Sequence, residues 1–75
     1  NMGVPTTTVT GTAVVANGPY QLKGGTCALT MVPSTNAASC VLNTFNGNLV
    51  VTVYKANMDE ATAPATVSWF AYVED

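Results

Sequence analysis

The side chains of this 75-residue chain that could take part in covalent, acid–base or metal chemistry are few: Cys27 and Cys40, Lys23 and Lys55, and the carboxylates Asp59, Glu60, Glu74 and Asp75. Histidine is absent, which removes Ser-His-Asp and Cys-His nucleophilic systems and the commonest transition-metal ligand together. A cysteine pair without histidine or clustered carboxylates cannot close an ordinary zinc site. Asp59 and Glu60 are adjacent, so on a strand they would point to opposite faces, and in a loop they could at most join a weak calcium site. Gly24-Gly25 has neither the GxGxxG spacing nor a following helix that would cradle a phosphate. A lysine, an asparagine and a glutamate could form an intramolecular isopeptide bond only if all three were buried together, and nothing in their spacing demands that. The residues point to a chain that is not an enzyme and that carries no cofactor or metal.

What remains for function is contact. The aromatic residues are Tyr20, Phe45, Tyr54, Trp69, Phe70 and Tyr72. Trp69, Phe70 and Tyr72 lie on both faces of one strand-like segment, and core packing explains only one of those faces. Phe70 and Tyr72 must then be covered by a second layer or by another molecule, and with Phe45 and Tyr54 they make up the candidate interaction surface. A sugar-stacking platform is the alternative use of such rings, since they present apolar surface to the hydrophobic faces of pyranoses.

Composition narrows the partners. Charged residues are 8% of the chain and hydrophobic residues 48%, against about 25% charged in ordinary soluble domains. The net charge of −2 comes from two short acidic pairs, so the chain has no electrostatic footprint for nucleic acid or an anionic membrane. No run reaches the roughly 18 apolar residues of a membrane-spanning helix. The start "NMGVPTTT" lacks the basic and apolar regions of a signal peptide. It reads either as a mature chain beginning at Asn1 or as an initiator Met2 behind a single cloning remnant.

The elements follow from period-two alternation of β-branched residues, punctuated by Gly, Pro and Asn, with no helical periodicity. A first strand is expected through "TTTVTGTAVVA", with Val9, Ala13 and Val15 on one face and residues 1–7 forming an extended or flexible arm. Asn17-Gly18 predicts a two-residue hairpin pairing Val15 with Tyr20 and Ala13 with Leu22. Gly24-Gly25 would break the second strand. "TCALTMV" would form the third, with Cys27, Leu29 and Met31 sharing a face, and Pro33 would end it. "PSTNAAS" reads as a loop of small residues. "CVLNTF" and "NLVVTVYKA" form a second hairpin about Asn46-Gly47, pairing Phe45 with Asn48, Leu42 with Val51 and Cys40 with Val53. "NMDEATAP" is a charged loop. The final strand "ATVSWFAYVED" puts Val67, Trp69, Ala71 and Val73 on one side and Thr66, Ser68, Phe70 and Tyr72 on the other. The sum is a single all-β domain, a small antiparallel sandwich or barrel of about six strands.

In this register Cys40 and Leu42 share a face with Leu49, Val51 and Val53, the only uniformly apolar face it offers. Cys27 would lie opposite Cys40 if the third and fourth strands formed a hairpin. A disulfide is the economical reading and would stabilise so small a core by roughly 3 kcal/mol in the chain-entropy model. The alternative is a pair of buried thiols packed as small hydrophobes.

"TVYKANMDEATAPATVSWFAYVED" resembles the closing strands of small β-sandwich modules in bacteriophage tail fibres and related H-type lectin-like domains, which often finish on an aromatic-rich W-x-A strand. "VVANGPYQLKGGTCALTMV" is similar to a Gly-Pro turn and strand of phage accessory proteins. The resemblance covers about half the chain and implies a virion-type β module. The polar sugar-binding residues of the lectin-like members have no placed equivalents here.

Low charge and edge strands with few blocking Lys or Pro residues point the same way. The chain is read as a structural or decoration subunit of a larger particle, located in a virion or extracellularly. Its expected partners are copies of itself or other particle subunits, and glycan is the competing ligand of a secreted sugar-binding or inhibitor-type module.

Overall fold

A computed structural model describes residues 1–30 and 37–74. Alternation of apolar and polar residues gives six strands: β1 (Met2–Thr10), β2 (Thr12–Ala16), β3 (Gln21–Leu29), β4 (Ala37–Phe45), β5 (Asn48–Lys55) and β6 (Pro64–Glu74). They form two antiparallel three-stranded sheets, β1-β6-β3 and β2-β5-β4, packed as a sandwich with no helix among the described residues.

The central strands carry the core. Leu49, Val51 and Val53 of β5 and Val67, Trp69 and Ala71 of β6 are buried, together with Val9 of β1, Ala65 at the start of β6 and Ala61 of the β5–β6 connection. Both central strands show the period-two burial expected of a sheet with one face packed and one face open. Trp69 is buried, and its indole N–H donates to the Thr7 hydroxyl at 3.3 Å, tying β6 to β1.

The Asn46-Gly47 hairpin has the expected register, with Phe45 opposite Asn48, Leu42 opposite Val51 and Cys40 opposite Val53. Asn46 and Gly47 have φ of 53° and 80°, as a type I′ turn demands. Gly47→Val is therefore expected to destabilise the chain by more than about 1 kcal/mol, because a β-branched residue resists positive φ. Thermal denaturation checks this, and an unchanged melting temperature would remove the turn's role in setting the register.

The Asn17-Gly18 hairpin does not form. β2 pairs with β5 and β3 with β6, so Val15 does not face Tyr20, nor Ala13 Leu22. The reason lies one residue on: the closing hydrogen bond of such a turn needs an N–H at position 19, and Pro19 has none. Residues 17–20 instead cross from one sheet to the other through a cis Gly18–Pro19 peptide. The Gly18 N–H donates to Asn48 Oδ1 at 3.0 Å and the Tyr20 N–H to the Gly47 carbonyl at 2.7 Å, docking this crossing on the true hairpin.

Two further boundaries move. The expected first strand is cut at Gly11, whose φ of +70° turns the chain out of one sheet and into the other. Its carbonyl accepts the Val53 N–H at 2.7 Å. Conversely, Gly24-Gly25 does not end a strand: β3 runs through both, with a register shift between Leu22 and Gly24. A Cβ on Gly25 would lie 2.5 Å from the Phe70 carbonyl oxygen and 2.8 Å from Leu42, so this glycine permits close packing against β6 and the facing sheet. One strand is split and two are merged, which leaves the expected total in place.

Residues 2–7, expected as an extended or flexible arm, are extended and paired along β6, with a register shift between Val4 and Thr7 around Pro5. Ala37, Ala38 and Ser39, expected in the small-residue loop, belong to β4. Met31 and Pro33 lie outside the described residues. The charged segment is a turn as expected. Met58 N–H donates to the Lys55 carbonyl at 3.0 Å and Lys55 N–H to the Asp59 carbonyl at 2.7 Å.

Cys27 and Cys40 are bonded, with Cα atoms 6.1 Å apart. They are not cross-strand neighbours of a hairpin. β3 and β4 belong to different sheets, so the bond joins the sheets along one seam of the sandwich. Both cysteines are half-buried, not fully buried, because each sits on an edge strand.

Candidate functional site

With the inward faces consumed by the core, the outward faces of the two sheets are where contact chemistry can occur. On the first sheet, the parity that buries Val67, Trp69 and Ala71 turns Phe70 and Tyr72 outward. Their rings form an edge-to-face pair with centroids 5.1 Å apart and planes at 80°. Across the sheet, Phe70 lies opposite Gly3 of β1 and Thr26 of β3, and Tyr72 opposite Gly24. The glycines place no side chains beside the rings, which stay 42% and 53% exposed. β6 is the central strand of its sheet, so this pair sits in the middle of a face. The Lys23–Glu74 ion pair, at 3.7 Å and well exposed, ends the face and contributes little to stability.

The outward positions of the second sheet are Val14 of β2, Val50, Thr52 and Tyr54 of β5, and Val41, Asn43 and Phe45 of β4. Val14, Val50 and Asn43 form one cross-strand row, and Thr12, Thr52 and Val41 the next. Val14, Val41 and Phe45 are exposed, Phe45 most of all at 69%. A shallow concavity opens among Thr12, Val14, Asn43, Phe45, Val50 and Thr52. At one end of this face the Thr12 hydroxyl donates to the Glu60 carboxylate and lies 3.2 Å from the Thr52 hydroxyl.

The candidate residues are thus divided. Phe70 and Tyr72 are brought together on one side of the sandwich, whereas Phe45 and Tyr54 lie on the other side and far apart along the hairpin, Phe45 beside Asn48 and Tyr54 beside Ser39. Among the described residues no group of three or more potential metal ligands occurs.

Known protein families, curated proteins and solved structures contain no match to this chain.

Its outward faces therefore have to be read from their own chemistry. Sequence reasoning missed Val14, Val41 and Val50 because it followed the aromatic residues. The signal was present: each is an apolar residue between two inward apolar neighbours, Ala13 and Val15, Cys40 and Leu42, Leu49 and Val51. A face turned only toward water would carry polar residues there. The rings of Phe70 and Tyr72 stand nearly at right angles and share no common plane.

Proposed function

We propose that this chain is a non-catalytic packing subunit of a larger particle, of the structural or decoration type found in bacteriophage virions, acting through its sheet faces. The observation that carries the reading is the pair of opposed outer faces, one with Phe70 and Tyr72 and the other with Val14, Val41 and Phe45, all exposed. Exposed apolar side chains on both faces are a liability for a chain with so few charges and are useful when neighbouring subunits cover them. The resemblance of the closing segment to small virion modules supports the same reading. The Cys27–Cys40 bond fits a particle or extracellular setting, where disulfides persist.

The test is the double variant Phe70→Ser/Tyr72→Ser. Both side chains are outward, so its unfolding free energy is expected to stay within about 1 kcal/mol of the parent, while the particles seen by light scattering become smaller. A collapsed fold would mean that these rings belong to the core. Unchanged particles together with lost binding on a glycan array would replace the packing reading with a sugar-binding one.

A further inference from the structure

We infer that the outer face of the second sheet is a self-complementary contact that receives a second copy of this chain about a two-fold axis, each Phe45 entering the concavity of the other copy. The inference rests on the packing-subunit reading and names the partner for one of its two faces.

Shape supplies the first argument. Phe45, the last residue of β4, is the most exposed aromatic residue of the chain, and it stands on the rim of the concavity lined by Thr12, Val14, Asn43, Val50 and Thr52. A projecting ring and a dish side by side on one face are what an isologous contact requires. Rotation about an axis between them puts each ring of a pair into the other copy's dish, with the same residues used twice. A large aromatic side chain seated in an apolar pocket near the centre of a contact is the usual energetic anchor of such interfaces.

Charge supplies the second argument. The rows Val14–Val50–Asn43 and Thr12–Thr52–Val41 contain no ionisable side chain. Glu60 lies at the Thr12 end, where its carboxylate already accepts the Thr12 hydroxyl. Two copies can therefore close over these two rows with no charge between them, provided that the exposed Glu60 stays at the solvent-facing rim of the contact. The Asn43 amide and the Thr52 hydroxyl supply polar groups that can pair across the axis.

Size supplies the third. A side of a body measuring 37 × 21 × 16 Å projects about 600–800 Å², which reaches the roughly 800 Å² per partner of a standard specific interface only when the whole face is used. The contact must then extend beyond Phe45 to Val41 and Val14, whose exposure is otherwise unexplained. Because the Phe70–Tyr72 pair lies on the opposite side, a dimer built on the second sheet leaves the first sheet free to join dimers into larger assemblies.

The experiment uses sedimentation velocity over a concentration series with the disulfide intact, on the parent chain, on Phe70→Ser/Tyr72→Ser, and on that double variant with Phe45→Ser added. Thermal melts and backbone amide spectra establish that each variant is folded. Blocking the first-sheet face is expected to leave a dimer, and adding Phe45→Ser to raise its dissociation constant by at least about tenfold. Adding Val14→Lys in place of Phe45→Ser should have the same effect by burying a charge. Parent assemblies whose Phe70→Ser/Tyr72→Ser form is already monomeric, or a dimer indifferent to both second-sheet changes, would overturn the inference while leaving the packing reading intact. A parent chain that is monomeric throughout the series would overturn both.

Discussion

Replacing Cys27 and Cys40 together by alanine is expected to lower the unfolding free energy by about 3 kcal/mol, the chain-entropy value for a loop of this length. The bond closes a sequence separation of 13 residues. Geometry makes it the main covalent restraint on the fold: β3 is hydrogen-bonded to β6 and β4 to β5, so Cys27–Cys40 ties one edge strand of each sheet to the other. A chain of this size gains only about 3–5 kcal/mol from a single core, so the bond contributes an amount comparable to that of the core itself, and its loss should move the unfolding midpoint to a much lower denaturant concentration. Urea denaturation of the variant, and of the parent chain with and without reductant, measures the effect. A midpoint that does not move would mean that side-chain packing between the sheets closes this seam without the bond.

Trp69→Ala should cost a comparable or larger amount, about 3–5 kcal/mol. Trp69 is 4% exposed and sits in the middle of β6, with Val4 of β1 on one side and Cys27 of β3 on the other. Truncation would open a cavity against the whole inward face of the first sheet and remove the donor to Thr7. Trp69→Phe separates these effects: it retains much of the buried volume and should cost less than Trp69→Ala, with roughly 1 kcal/mol of the difference from the parent due to the lost hydrogen bond. Chemical denaturation of both variants decides. If the alanine variant proved as stable as the phenylalanine one, Trp69 would not be a core residue.

The central strands were legible because every level of the sequence agrees there. In β5 and β6 alternation, β-branched residues and turn chemistry give one answer, and the hairpin register about Asn46-Gly47 follows residue by residue. The errors cluster where glycine carries two meanings. At Gly11 a positive φ turns the chain into the other sheet, whereas at Gly24-Gly25 the missing side chains let a continuous strand pack closely. The two Asn-Gly pairs look alike until the next residue is considered: Asn48 can close its turn and Pro19 cannot. Pairing the cysteines needed only a shared apolar core, so the disulfide survived a wrong strand neighbour. The division of Phe70 and Tyr72 from Phe45 and Tyr54 was not legible, because alternation assigns residues to inside or outside but does not say which of two sheets an outside belongs to.

Native mass spectrometry of the unmodified chain across rising concentration, with Cys27–Cys40 oxidised, tests the proposed role most directly. Masses above that of the 7.7 kDa monomer are expected, with dimers as the smallest assembled species and larger even-numbered species as concentration increases. A chain that remains at 7.7 kDa at every concentration would contradict that role.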